Sequence, residues 1–219
     1  MLDVLYEDNH LIAVNKKPGD IIQSDKTGDT PLSSYVKKYI KKKYKKPGEV
    51  FLGTIHRLDR PTSGVVLFAR TSKALSRMNK QFQERNVKKL YLAIVNKYPE
   101  FEQGKLENYL RKNQKQNKSY ITNENQGKKA VLRYKVIKEL NNYFLLEIIP
   151  ETGRHHQIRV QLSNIGSIIK GDLKYGAKRS NNDASIHLHA YKLIFHHPVT
   201  KILTTIEAKP PIDPIWNNC

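Results

Sequence analysis

Apolar residues recur along this chain mostly as short alternating runs separated by Gly, Pro, Asn and Lys, the signature of strands joined by turns. Residues 2–6 and 10–15 form two such runs around Glu7-Asp8-Asn9, and Lys16-Lys17-Pro18-Gly19 punctuates the second. Residues 50–52 and Val65-Val66-Leu67-Phe68 are two more apolar segments, and residues 88–95 predict a strand. There, period two puts Leu90, Leu92 and Ile94 on one face and Tyr91, Ala93 and Val95 on the other. Residues 130–140 and 142–149 predict a hairpin about Asn141-Asn142. Its second arm is largely apolar on both faces, which predicts a strand covered on both sides. Residues 186–198, ending at Pro198, and 202–208 are the last strands.

Three stretches carry helical spacing instead. Thr30 as N-cap and Pro31 as first helical residue predict a helix start, with Leu32, Tyr35, Val36 and Ile40 on one face. The other face and the tail hold Lys37, Lys38, Lys41, Lys42, Lys43, Lys45 and Lys46. Residues 72–85 read as an amphipathic helix with Leu75, Met78 and Phe82 inward. Beyond Gly153, Ile158 and Leu162 at i, i+4 predict a helix closed by Gly166. Residues 97–129 are polar and rich in Lys, Asn and Gln, and predict a hairpin tip or flexible excursion.

Charge changes the picture more than size does. The 219 residues suffice for one domain, elongated or in two lobes. Lys and Arg number 39 against 20 Asp and Glu, a net +19, so a polyanion is the expected partner and nucleic acid the default. The lysine-dense helix end and residues 97–129 are expected to face RNA, because like charges so close together repel unless phosphates neutralise them. A membrane is not expected: no amphipathic helix presents a Trp/Phe/Leu face, and the single Trp216 lies near the C-terminus. Cys219 is the only cysteine, which excludes an internal disulfide and a Cys-based zinc site. With no signal-like start and no long apolar run, a soluble cytoplasmic protein is expected; a monomer is expected as well, on no particular residue pattern.

The candidate chemistry sits in Thr54-Ile55-His56-Arg57-Leu58-Asp59-Arg60-Pro61-Thr62-Ser63-Gly64. One carboxylate lies between two arginines on a Pro bend flanked by apolar segments, at the rim of a sheet. Arg57 and Arg60 favour its charged form. Read as a bare pattern, this is an ordinary turn with a weak surface ion pair. The run His-Arg-Leu-Asp-x-x-Thr-Ser-Gly, however, resembles the signature of the RluA family of RNA pseudouridine synthases, whose Asp is the nucleophile. Three later stretches resemble the same family in the same order. They are Lys89-x-Tyr91-x-Ala93-x-Val95, Thr152-Gly153-Arg154-x-His156-Gln157-Ile158-Arg159, and residues 171–176 with the strand "LHAYKLIFHHP". The opening "EDNHLIAVNKKPG" is similar to the start of the family's catalytic domain, with no room before it for the small S4-like RNA-binding domain that many members carry.

That resemblance implies a single catalytic domain over residues 1–219. It implies an α+β fold, a mixed, mostly antiparallel sheet flanked by helices with a basic central cleft. The implied reaction converts uridine to pseudouridine in tRNA or rRNA, with no cofactor and no metal. The implied catalytic residues are Asp59 as nucleophile, Tyr91 against the uracil, and Arg159 as the cation paired with Asp59. Leu188 is the apolar wall under the Tyr, and Arg57 either fills the gap of the flipped base or holds the neighbouring phosphate. Lys16, Lys17 and Arg154 are candidates for contacts to the RNA backbone, and Gly171-Asp172-Leu173-Lys174-Tyr175-Gly176 reads as a structural turn. The residues do not distinguish attack at C1′, addition to C6, or a glycal-type intermediate. Two rivals are weighed. A two-metal nuclease wants clustered carboxylates, and the acids nearest Asp59, Glu49 and Glu84, have no useful spacing. A non-catalytic RNA-binding module explains the charge but not the lone Asp. His155-His156 lacks zinc-site spacing, since adjacent helical residues diverge by about 100°.

Overall fold

The computed structural model describes residues 2–24 and 28–219. In chain order the elements are β1 (Val4–Glu7), β2 (Leu11–Lys16), α1 (Leu32–Lys43), β3 (Gly53–Thr54), β4 (Ser63–Ala69), α2 (Ser72–Gln83) and β5 (Lys88–Val95). They continue with β6 (Gln103–Asn113), β7 (Lys118–Thr122), β8 (Lys128–Leu140), β9 (Tyr143–Pro150), α3 (Gln157–Asn164), β10 (Leu188–His196) and β11 (Leu203–Glu207). The fold is α+β and mostly antiparallel, as the resemblance implied. The chain divides into two compact units, Met1–Lys88 with Ala190–Pro211, and Lys89–His189 with Ile212–Cys219.

In the first unit, β2 pairs antiparallel with β1 and with β4, and β10 with β11. All seven residues of β4 are buried, which is why its apolar run does not alternate. One face carries Leu11, Val65, Leu67, Leu193 and Phe195, closed by Ala74 and Met78 of α2. The other carries Ile12, Val14, Val66 and Phe68, closed by Leu32, Val36 and Ile40 of α1, with Leu58 packed against them. Gly64 starts β4 at φ +116°, and a Cβ there would lie 2.3 Å from the Ala190 carbonyl oxygen. No side chain fits that approach, so the Gly ending the Asp59 stretch is sterically required.

The predicted helices are present with small corrections. Thr71 caps α2, its Oγ1 accepting from the Ala74 N–H at 3.2 Å. At α1 the cap position is Pro31 rather than Thr30, because Pro31 keeps an extended ψ of 153° and the helix begins one residue later. Tyr35 is 51% exposed and does not share the inward face of Leu32, Val36 and Ile40. Glu7 takes Lys43 at 2.6 Å, and also accepts from Tyr39 and Tyr44. Among the described residues, Lys43 is the one lysine of that run with a carboxylate partner, while Lys38, Lys41, Lys42, Lys45 and Lys46 are exposed.

In the second unit, β5, β9, β8, β6 and β7 pair antiparallel in that order. β9 lies between β5 and β8. It gives Leu146 and Ile148 to a cluster with Ala93, Ile158, Leu162 and Leu188, and Leu145 to another with Ile94 and Trp216. The polar segment predicted as a tip or excursion is instead mostly strand. β6 and β7 form a hairpin whose burial is low along both arms, so composition did not betray it.

Candidate active site

Asp59 stands half-buried on the turn before β4, with the Thr62 N–H donating to its carbonyl at 3.0 Å. The motif's own residues build that turn. His56 Nε2 accepts from the Leu67 N–H at 3.1 Å, and its ring stacks on Phe82 at 5.3 Å, tying the stretch to β4 and α2. Beneath the turn lies Lys16, only 1% exposed. Its Nζ donates to the carbonyls of Lys17 (3.0 Å), Arg60 (2.9 Å) and Thr62 (2.7 Å). Lys16 is therefore not placed to touch an RNA backbone, a correction to the reading of residues 16 and 17 as a pair. Lys17 is exposed and Lys16 spends its donors inside. Arg60 pairs with Asp29 at 2.7 Å, and Arg57 projects to solvent. A cation whose charge reaches Asp59 within this unit is Lys16, from below.

The second unit assembles the third motif around a buried ion pair. Arg159, 5% exposed, donates from Nε and Nη2 to Asp172 Oδ2 at 2.7 Å and Oδ1 at 2.8 Å. Such a fork fixes the guanidinium plane. The Tyr175 ring lies 5.1 Å from it. Residues 171–176 are thus more than the structural turn expected of them: they supply the carboxylate and the ring that hold Arg159. The expected pairing of Arg159 with Asp59 remains a proposal below. Signals for Asp172 existed in the sequence only as an acid near a basic motif, and nothing in its spacing tied it to residue 159.

Around this pair the motif residues lock one another. Gln157 Oε1 accepts from Thr152 Oγ1 at 2.7 Å and from the Arg154 N–H at 3.0 Å, while its Nε2 donates to the Val131 carbonyl. Arg154 Nε donates to the Lys129 carbonyl, with its side chain half-buried. His155 and His156 stack at 3.8 Å, bonded respectively to Ser119 Oγ and to the Tyr175 hydroxyl. Burial first, then the nearby Arg159 charge, holds the His156 imidazole far below its ordinary pKa, so it is neutral. Ser119 N–H donates to Tyr175, and Lys174 Nζ donates to the carbonyls of Gln116 and Asn117. The β6–β7 tip is thereby pinned to the Arg159 site. Tyr91 packs against the apolar cluster that contains Leu188, which is 4% exposed. Lys89, two residues from Tyr91, has its pKa lowered by burial and lies under Gly153, a neighbour that the sequence reading missed. Among the described residues, no group of His, Cys, Asp and Glu could hold a metal ion, and no helix is long and apolar enough to cross a membrane.

A net charge of +19 suits a polyanionic partner, and a carboxylate on a pinned turn beside a separate buried Arg–Asp fork is the kind of charge arrangement from which active sites are built. Residues 10–164 match the family model of RNA pseudouridylate synthase. The chain is 33% identical to a ribosomal large subunit pseudouridine synthase D of Zymomonas mobilis, over 97% of this chain and 70% of that one. It is 33% identical to a tRNA pseudouridine synthase C of Pasteurella multocida, over 98% and 93%. Its fold is that of human RNA pseudouridylate synthase domain containing 4, with a TM-score of 0.80 at 24% identity over 98% of this chain and 90% of that one. The chain belongs to the RNA pseudouridylate synthase family and is an RNA pseudouridine synthase.

Proposed function

We propose that this enzyme acts, as a monomer with one catalytic domain, on specific uridines of structured RNA, tRNA first and rRNA second. Asp59 is its nucleophile and the target base is flipped out of its stack. The observation that carries this reading is the Asp59 turn itself, a half-buried carboxylate on a backbone held from below by Lys16. The similarity to a tRNA-named relative along 93% of that relative's length favours tRNA. The N1–C1′ bond breaks, the uracil turns, C5 bonds to C1′, the C5 proton leaves and N1 gains one. Atoms balance without an oxidant, a metal or a cofactor. Flipping costs a few kcal/mol, which backbone contacts return. Tyr91 is assigned to stack on the uracil and take the C5 proton, and Arg159 to keep the nucleophile ionised. Leu188 forms the apolar wall under Tyr91. Arg57, Lys17 and Arg154 are assigned to the RNA backbone or the vacated gap.

Tritium release from [5-³H]uridine RNA tests the reaction, because the C5 proton departs once per turnover. Release is expected from unmodified tRNA, and more slowly or not at all from unmodified rRNA. No release from either, with RNA binding intact, would sink the proposal. Five of the exposed lysines of α1 and the residues after it provide a second check. Changing Lys38, Lys41, Lys42, Lys45 and Lys46 together to Gln should weaken RNA binding and flatten its salt dependence. Each lost phosphate contact lowers the log–log slope by about 0.7–0.9. An unchanged slope would remove α1 from the RNA surface.

A further inference from the structure

The C-terminal end of α1 gathers more positive charge than its surroundings neutralise. The Lys46 N–H donates to the Lys41 carbonyl at 3.1 Å and the Lys45 N–H to the Lys42 carbonyl at 3.4 Å, with Lys45 left-handed at φ +48°. The helix thus closes on a Schellman turn that folds Lys45 and Lys46 back toward Lys41 and Lys42. All four are exposed, and among the described residues none has a carboxylate partner. The negative end of the helix dipole offers about half a charge against these four. Glu7 is already committed, to Lys43 at 2.6 Å, to Arg70 at 3.2 Å and to the hydroxyls of Tyr39 and Tyr44. The two rings are engaged as well: the Arg70 guanidinium lies 4.5 Å from the Tyr44 ring and the Lys43 ammonium 5.4 Å from that of Tyr39. They are not offered for bases to stack on. What remains is a set of point charges, which meet phosphates without reading sequence.

This end is remote from the Asp59 turn within the same unit. α1 begins near that turn: the Leu32 N–H donates to the Ile21 carbonyl at 2.7 Å, and the Gly19 N–H, in the same loop, to the Arg60 carbonyl at 2.9 Å. β4 likewise starts at Ser63, shortly after Asp59, and ends at Ala69 beside Arg70. The 12 residues of α1 and the 7 of β4 both put the lysines roughly 20 Å from the turn. That is over twice the Debye length of about 8 Å at physiological salt, so their field does not reach the chemistry at Asp59. They act on another part of the same RNA. We propose that Lys41, Lys42, Lys45 and Lys46 form a distal docking site for the backbone of an RNA duplex that continues from the target loop, so that the enzyme favours uridines carried on a stem long enough to reach α1. The proposal rests on the reading that the target uridine sits at Asp59. A duplex suits the site because it is stiff over this distance and carries phosphates on two strands, whereas a single strand would have to be ordered at an entropic cost.

Two [5-³H]uridine hairpins test this, both with the target loop of a tRNA that the enzyme modifies, one on a short stem and one on a long stem. At about 3 Å per base pair, stems of about 4 and 12 pairs reach roughly 12 and 36 Å. For the wild type, KM from tritium release should be at least about 10-fold lower for the long hairpin at physiological salt. Combining Lys41→Gln, Lys42→Gln, Lys45→Gln and Lys46→Gln should raise the KM of the long hairpin to that of the short one. The short hairpin should be unaffected, and kcat on both should stay within about twofold, the mark of lost binding without lost chemistry. The log–log salt slope on the long hairpin should become shallower by about 0.9 for each contact removed. An equal rise in KM on both hairpins would mean that the lysines attract RNA without seating a stem, and overturns the proposal. An unchanged KM on the long one overturns it too. A third RNA, with the short stem and an unpaired tail carrying as many phosphates as the long stem, checks the duplex: a tail that serves as well as the stem overturns that assignment. Should the fourfold variant not fold, the wild-type ratio of KM values decides, and a ratio of one overturns the proposal. Asp59→Ala is run in parallel and should bind the two hairpins in the wild-type ratio while releasing nothing. Full release by that protein removes the Asp59 reading, whereas a dead Asp59→Ala beside a wild type without length preference removes only the docking site.

Discussion

Asp59→Ala is expected to release no tritium from [5-³H]uridine tRNA and to bind that tRNA within about twofold of the wild type. The size of the loss follows from chemistry: a nucleophile that splits one hard step into two has no substitute once removed. A fall of at least about 10⁴ in kcat is expected, equivalent to about 5.4 kcal/mol of barrier. Asp59→Asn should be equally inactive, because it keeps the shape but carries no charge. Neither change should unfold the protein. Asp59 is half-buried on a loop, and the backbone of the turn is held by bonds to Lys16 and Thr62. Single-turnover kinetics and filter binding on the same preparations give both numbers. Equal release by mutant and wild type would exclude Asp59 as the nucleophile and leave the reaction standing.

Asp172→Ala is expected to cost about 3–5 kcal/mol of stability, because it takes the carboxylate of a two-bond fork away from a buried guanidinium. Asp172 is 1% exposed and Arg159 5%, and their two bonds are 2.7 and 2.8 Å. At about 2–4 °C per kcal/mol for a chain of this size, the midpoint of unfolding should fall by roughly 6–20 °C. Activity measured well below that midpoint should fall too, since Arg159 loses the fork that sets its plane. A double-mutant cycle with Arg159→Gln distinguishes this pair from two independent sites. If the two residues act as one, the double variant loses less than the sum of the single variants. Strict additivity, or an unchanged midpoint in Asp172→Ala, would show that the fork holds nothing.

The contrast between these two acids shows what the linear chain declares. Asp59 is legible because its sequence motif is local: the Pro bend, the Thr62-Ser63-Gly64 run and the apolar run of β4 are consecutive residues. The ends of β5, the start of α2 and the Asn141-Asn142 turn are legible for the same reason, since periodicity and turn chemistry act between neighbours. Lys16, Asp172 and Tyr175 are not. A lysine beside another lysine reads as solvated, and an acid within a Gly-rich run reads as a turn. Only tertiary structure sends Lys16 under residues 60–62, 44 and more positions away, and closes Asp172 on Arg159. It likewise makes strands of the polar residues in β6 and β7, whose pairing is supplied by partner backbones rather than by an apolar face. The sequence by itself therefore determined most of the elements, the family resemblance and the candidate carboxylate. The tertiary structure decided which buried charges hold that machinery in place, because a buried charge is stabilised by partners distant in sequence and leaves no periodic trace.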